Sequence, residues 1–127
     1  MAVKVESTQC EHPRLMYETK VLQELKGCKF IVKLLGHGRM KSVGANFMIT
    51  EFLGPTLEDI FDICGRKFSL KTTCMVWLQM LHLMKGLHER GYLHRDIKPD
   101  NFLLGYQDKS KSIFAVDFGL AKKYIDP

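Results

Sequence analysis

The sequence YLHRDIKPDNFLLG at residues 92–105, together with IFAVDFG at residues 113–119, decides how this chain is interpreted. The first segment is a charged loop, fixed by Pro99 and flanked by apolar residues, and the second is a strand that leads into Asp-Phe-Gly. Each tripeptide motif alone is a weak signal, but His-Arg-Asp followed by Asp-Phe-Gly, with a strand–turn–strand pattern between them, is specific. The alternative is a solvated turn in which Asp100 and Asn101 are ordinary turn formers. It is disfavoured because both motifs occur in register.

The rest of the chain shows strand and helix patterns. Periodicity, caps and Gly or Pro boundaries predict strands at residues 2–6, 30–35, 46–53 and 113–119, and helices at 13–26, 57–64 and 69–90. Thr56 is expected to cap the second helix and Ser69 the third. The third helix has apolar residues around most of its circumference, which predicts a core helix. This order of elements predicts an α+β fold.

One acidic residue lies on the apolar face of the first predicted helix. Leu15, Leu22 and Leu25 form the stripe, and Glu18 occupies the position between the first two. Lys4 lies on the preceding strand, and a partly buried ion pair would satisfy both charges better than leaving either alone. A structural ion pair and a functional one both fit this pattern.

These motifs make the sequence similar to the eukaryotic protein kinases. Within that group it most resembles the casein kinase 1 family, with the tau-tubulin kinase relatives next. Four segments carry this resemblance: EFLGPTLEDIFD, RKFSLKT, HRDIKPDNFLLG and DFGLAKKY. It extends from Ala2 to Tyr124 and implies a two-lobed protein-kinase fold. Residues 1–53 would form part of the small lobe and the hinge, and residues 54–127 part of the large lobe with the catalytic loop.

The resemblance also implies the catalytic residues. Asp96 would orient the substrate hydroxyl and accept its proton, and Lys98 would contact the γ-phosphate of ATP. Asn101 and Asp117 would bind Mg²⁺ through oxygen atoms. A lysine at the position of Lys98 resembles the serine/threonine kinases rather than the tyrosine kinases. The implied function is transfer of the ATP γ-phosphoryl group to Ser or Thr hydroxyls of protein substrates.

Further residues would bind the rest of ATP. By the same resemblance, Lys4 grips the α- and β-phosphates and Glu18 holds Lys4. Leu22, His94 and Phe118 would pack as an internal spine, although ordinary core positions explain these three equally well.

The predicted strand at 46–53 resembles the hinge between two kinase lobes. Thr50 would be the gatekeeper, and the backbone of Glu51 and Leu53 would face adenine. Ala2 and Leu103 would cover the two faces of the base.

Lys122 and Lys123, after Asp-Phe-Gly, are candidates for binding acidic or phosphorylated protein substrates, and a solvated lysine pair is the alternative. The net charge is +5, but the sequence contains no basic stripe and no aromatic–basic pattern, so no nucleic-acid partner is expected. The most apolar segment, residues 74–87, is interrupted by polar residues, and no membrane span is expected. Four cysteines without a C-x-x-C motif predict reduced thiols, and a cytoplasmic or nuclear location.

The chain departs from the kinase pattern at both ends. It contains no G-x-G-x-x-G motif, only Met1 precedes Ala2, and the sequence ends at Pro127. At 127 residues we therefore expect a partial catalytic domain, whether a gene-model fragment, a piece of a longer protein or a short product. The helix at 69–90 would then expose apolar surface. The alternative function is a catalytically impaired kinase fragment that acts as a binding module.

Overall fold

The structure is a computed structural model that describes residues 1–125, and it has the mixed α+β architecture that the sequence predicts. The larger strands are β1 at Ala2–Ser7, β2 at Leu34–Met40 and β3 at Ala45–Thr50, which form an antiparallel sheet with β3 in the centre. The helices are α1 at Leu15–Glu24, α2 at Leu57–Ile63 and α3 at Leu70–Glu89. Two small antiparallel pairs consist of β4 at Tyr92–Leu93 with β7 at Lys122–Lys123, and of β5 at Phe102–Leu104 with β6 at Ile113–Ala115.

Helix α1 packs its predicted stripe into the core. Leu15, Leu22 and Leu25 are almost completely buried, and Glu18 is buried with them at 2% exposure. The helix begins after a loop whose amides are held by Glu6, since Glu6 Oε1 accepts hydrogen bonds from the backbone amides of residues 14 and 15 at 2.9 and 3.2 Å. A carboxylate at a helix N-terminus also interacts favourably with the helix dipole.

The second strand lies further along the chain than the sequence predicts. Phe30 has a φ of 65°, and Ile31 makes only an isolated bridge to Ala115, so residues 30–33 connect the sheet to β6 instead of forming a strand. Strand β2 instead extends to Met40, into the Gly-containing segment between the strands predicted at 30–35 and 46–53. Gly38 fits there because a Cβ at this position would lie 2.9 Å from the ring of Phe47 on β3.

The caps of α2 and α3 agree with the prediction. Thr56 and Asp59 form a capping box, in which each side chain accepts a hydrogen bond from the other residue's amide at 2.9 Å. The Ser69 hydroxyl accepts the amide of Thr72 at 3.1 Å. Both helices therefore begin where local chemistry satisfies their free amides.

The prediction that α3 is a core helix is wrong. Among its residues only Leu83 and Leu87 are buried, whereas Leu70, Trp77 and Leu81 are 81%, 59% and 62% exposed. The expected exposure of apolar surface on this helix is confirmed. Strands β4 and β6 pack against one face of this helix. Apolar composition alone does not indicate which faces of a helix have a neighbour. None of the helices in residues 1–125 is both long and apolar enough to cross a membrane.

Substitution by alanine is expected to have opposite effects on stability at two glycines, Gly105 after β5 and Gly86 in α3. A Cβ at Gly105 would overlap the backbone carbonyl of Lys109, whereas at Gly86 it would meet only the Cys28 Sγ at 3.5 Å. We expect Gly105→Ala to lower the free energy of unfolding by about 1–3 kcal/mol through steric conflict. Gly86→Ala should raise it by about 0.5–1 kcal/mol because alanine favours the helix. Urea unfolding of both variants measures this, and equal effects of the same sign would contradict it.

Candidate active site

The loop after β4 is held by a buried histidine. His94 is 1% exposed, and its Nδ1 accepts the amide of Asp96 at 3.3 Å. Nε2 must therefore carry the proton, and it donates to the carbonyl of Val116 at 3.0 Å. Burial lowers the pKa of His94, although its contact with the Val116 carbonyl and nearby carboxylates oppose this, so the ring stays neutral. Arg95, with a φ of 65°, turns the backbone here, and its Nε donates to the carbonyl of Leu120 at 2.6 Å.

Asp96 lies at the centre of a polar network. Lys98 Nζ is 2.9 Å from Asp96 Oδ2, and Asn101 Nδ2 donates to the same oxygen at 2.8 Å and to the Asp96 carbonyl at 2.9 Å. The hydrogen bond from Lys98, and after it that from Asn101, lower the pKa of Asp96. The carboxylate is thus ionised, oriented from two sides and partly accessible, with a side-chain exposure of 25%.

Asn101 and Asp117 are brought close by the pairing of β5 with β6. The carbonyl of Asn101 accepts the amide of Val116 at 3.0 Å, which places the next residue, Asp117, beside it. Both contacts of the Asn101 side-chain amino group go to Asp96, which leaves its Oδ1 as an acceptor. One amide oxygen and one carboxylate suit Mg²⁺, which commonly takes one or two protein ligands together with phosphates and water. Within residues 1–125 no cluster of three or more His, Cys, Asp or Glu side chains forms a metal site.

The predicted contact between Lys4 and Glu18 is present. Lys4 Nζ lies 2.7 Å from Glu18 Oε2 and 3.6 Å from Asp117 Oδ1, so it connects β1 with α1 and with the end of the predicted strand at 113–119. Glu18 Oε1 accepts the amide of Phe118 at 3.3 Å. Partial burial opposes protonation of Lys4, but the hydrogen bond and charge of Glu18 outweigh it and raise its pKa. An ammonium is therefore held half-exposed beside the two carboxylates.

A cleft of about 600 Å³ opens at the predicted hinge. All five residues predicted to surround adenine line it: Ala2, Thr50, Glu51, Leu53 and Leu103. Six further residues line the cleft: Phe52, Gly54 and Pro55 belong to the hinge segment or follow it directly, whereas Val32, Tyr106 and Val116 are not predicted from the sequence. Val116 could have been inferred from its place before Asp117, whereas Val32 and Tyr106 come from distant segments without a motif.

The backbone at the hinge is only partly available. The Glu51 amide donates to the carbonyl of Lys33 at 2.9 Å, so only its carbonyl can face a ligand. The Glu51 carboxylate accepts the Lys33 amide at 2.9 Å and binds Lys109 Nζ at 2.8 Å, and these contacts hold the hinge in place. Within residues 1–125 the Leu53 amide has no hydrogen-bond partner, so it remains a free donor at the cleft.

The comparison with protein-family models agrees with this geometry. The model of the protein kinase domain matches residues 1–127. The chain belongs to the protein kinase family. Membership implies phosphoryl transfer to protein substrates, with general use of ATP and a divalent cation.

The three residues predicted to form a spine are all buried in the core of the kinase, where ordinary core packing also explains them. Leu22, His94 and Phe118 are all at most 3% exposed, and the rings of His94 and Phe118 are 4.8 Å apart. The ring of Phe102 also packs against His94, with a ring separation of 6.1 Å. Packing around His94 thus links the catalytic loop to the Asp-Phe-Gly segment.

The two lysines after Asp-Phe-Gly differ in this kinase. Lys122 is exposed, whereas Lys123 Nζ lies 3.0 Å from Glu24 Oε2 on α1. The predicted role of both lysines in substrate binding therefore applies more readily to Lys122, because Lys123 has a partner within the chain.

Removing Lys4 tests whether Glu18 depends on it. Lys4→Met leaves a buried carboxylate with only the Phe118 amide, and we expect the free energy of unfolding to fall by about 1–3 kcal/mol. Adding Glu18→Gln removes the charge and should recover part of this loss. Denaturant unfolding of the two single variants and the double variant gives the coupling energy. Additive losses would show that the pair contributes nothing to folding.

Proposed function

We propose that this chain is a casein kinase 1-like serine/threonine kinase that transfers the γ-phosphoryl group of MgATP to protein hydroxyls. The observation that carries the proposal is the arrangement of Asp96, which is ionised and held by Lys98 and Asn101 at 2.9 and 2.8 Å. A carboxylate with an adjacent cation is what phosphoryl transfer to a neutral hydroxyl requires.

Asp96 accepts the proton of the substrate hydroxyl while the hydroxyl oxygen forms its bond to the γ-phosphorus. The bond between this phosphorus and the β–γ bridging oxygen breaks, and ADP leaves with that oxygen. Lys98, beside Asp96, stabilises the charge on the transferred group. Its position two residues after Asp96 is also the feature that favours Ser and Thr over Tyr as acceptors.

The other charged residues hold the nucleotide. Lys4, which pairs with Glu18 at 2.7 Å, binds the α- and β-phosphates. Asn101 Oδ1 and the Asp117 carboxylate would hold Mg²⁺, which neutralises phosphate charge when bound. Because Lys4 Nζ lies 3.6 Å from Asp117 Oδ1, the phosphate-binding ammonium and the metal-binding carboxylate lie next to each other.

The cleft beside the hinge suits adenine. Ala2 and Leu103 provide apolar contacts, and the Glu51 carbonyl and the Leu53 amide supply one acceptor and one donor. Few polar groups in a mainly apolar cleft are typical of sites for a planar base. Exposed Lys122 favours substrates with an acidic or phosphorylated residue near the acceptor.

Phosphate transfer with matched aspartate variants tests the proposal. We expect transfer from labelled ATP to a Ser/Thr peptide but not to the same peptide with Tyr. Asp96→Asn should reduce the rate by about 10²–10⁴-fold through loss of the proton acceptor. Asp117→Asn should weaken metal-nucleotide binding, whereas Asp108→Asn, in an exposed turn outside the site, should leave both unchanged.

Two results would contradict this function. Equal transfer by wild type and Asp96→Asn would exclude the proposed base. Binding of MgATP without transfer would favour the alternative, a binding module derived from a kinase.

The pKa of Asp96 supplies a further test. Lys98 is the largest cause of its lowered pKa, so Lys98→Met should raise the pKa of the carboxyl toward its ordinary value. The ionised form accepts the proton, so activity is lost as the pH falls through this pKa, and the loss should begin at higher pH in the variant. Carboxyl-carbon NMR titration of Asp96 measures the shift. An unchanged titration would separate Lys98 from the ionisation of Asp96.

A further inference from the structure

Glu24, Tyr92 and Lys123 form a cluster that connects α1 with two other parts of the chain. The Tyr92 hydroxyl donates to Glu24 Oε2 at 2.7 Å, and Lys123 Nζ lies 3.0 Å from the same oxygen. Lys123 also lies over the ring of Tyr92, 5.7 Å from its centroid. Burial and the Glu24 carboxylate raise the pKa of Tyr92, so the phenol stays protonated and donates. Glu24 therefore accepts the hydrogen bond of Tyr92, a residue that is only 4% exposed.

Three side chains of α1 hold the segment that follows Asp117. The contacts are Tyr17 Oη to the carbonyl of Ala121 at 2.7 Å, Glu18 Oε1 to the amide of Phe118 at 3.3 Å and Glu24 Oε2 to Lys123 at 3.0 Å. Glu24 lies about 9 Å beyond Glu18 along the helix. The contacts are thus spread along α1, and its rotation or translation would strain more than one of them.

The same segment is attached to the catalytic loop from the other side. Lys123 pairs with Tyr92 in the two-stranded sheet of β4 and β7, and the Tyr124 amide donates to the carbonyl of Gly91 at 2.8 Å. Strand β4 leads directly into His94 and the catalytic loop. Glu24 thereby links α1, the segment after Asp117 and the catalytic loop through a single carboxylate.

We infer that Glu24 is a positioning residue. By binding Tyr92 and Lys123 it fixes α1 against residues 118–123, and so keeps Glu18 on Lys4 and Asp117 beside the metal site. It touches neither nucleotide nor protein substrate in the mechanism above and acts through α1. The kinetic part of this inference rests on the proposed function.

The competing explanation is an ordinary surface ion pair. Glu24 and Lys123 are each 35% exposed in their side chains, and such a pair alone contributes little. What distinguishes Glu24 is the additional hydrogen bond from buried Tyr92. The pair of Glu58 and Arg66, at 2.9 Å and with Glu58 30% exposed, forms no hydrogen bond or ion pair with the site residues in the described part of the chain and provides a matched control.

Kinetics of Glu24→Gln, Tyr92→Phe and Glu58→Gln test this inference. We expect the KM for MgATP to rise about fivefold in the first variant, at the low end of typical coupling between sites, with a smaller change in kcat. Tyr92→Phe should change KM in the same direction, and Glu58→Gln should match wild type. A wild-type KM in both Glu24→Gln and Tyr92→Phe would overturn the inference.

Exchange of the charges of Glu24 and Lys123 distinguishes a positioning role of this contact from a general effect on stability. Glu24→Lys alone places two cations together and should raise KM further. Combining it with Lys123→Glu should restore KM, because the Tyr92 hydroxyl can accept as well as donate. Failure of the exchanged pair to improve on Glu24→Lys would argue against positioning by this contact.

Amide hydrogen exchange gives a readout that does not need activity. Exchange in residues 118–123 should be faster in Glu24→Gln than in wild type, and unchanged in Glu58→Gln. If wild type transfers no phosphate, the proposed function fails while exchange still decides the inference. If wild type is active and Glu24→Gln matches it in both KM and exchange, only the inference fails.

Discussion

A single buried carboxylate holds the candidate site together. Glu18 lies on the apolar stripe of α1, and its two oxygens face different elements: Oε2 binds Lys4 on β1, and Oε1 binds the amide of Phe118. A buried charge is tolerated only when it is paired and hydrogen-bonded. Because its partners come from opposite ends of the chain, displacement of α1 would leave this charge unsatisfied. The positions of Lys4 and Asp117 follow from that constraint.

The catalytic loop depends on a second network, which contains a neutral histidine and an ionised aspartate. His94 is kept neutral by burial and holds the loop through one donor and one acceptor. Asp96 is kept ionised by Lys98 and Asn101. A neutral, buried residue that shapes the backbone and an ionised, partly accessible carboxylate thus lie within three residues of each other.

Local signals made much of the fold predictable from sequence. The caps at Thr56 and Ser69 and the acid on the stripe of α1 involve neighbours within one or two helical turns, and all are present. The contact of Lys4 with Glu18 was also predictable, because the buried acid requires a cation. The five adenine-side residues were placed by resemblance to a family, and the structure brings them to one cleft.

The failures involve contacts between distant segments. Gly36 and Gly38 indicate a loop from sequence, whereas in the structure they lie in strand β2, where the ring of Phe47 covers Gly38. The ion pair of Lys123 with Glu24 has no local signal, because nothing in the sequence places Glu24 next to Lys123. The helix α3 was expected in the core since periodicity reports which residues are apolar, and not which faces have neighbours.

Trp77, the sole tryptophan of the sequence, makes the exposed face of α3 directly observable. It is 59% exposed and lies among apolar residues of that face. An indole in water emits at longer wavelength than one in an apolar contact, so the intrinsic fluorescence of this protein reports a single location. A blue shift on adding a molecule would mean that Trp77 has moved into a more apolar environment, and no label is needed to see it.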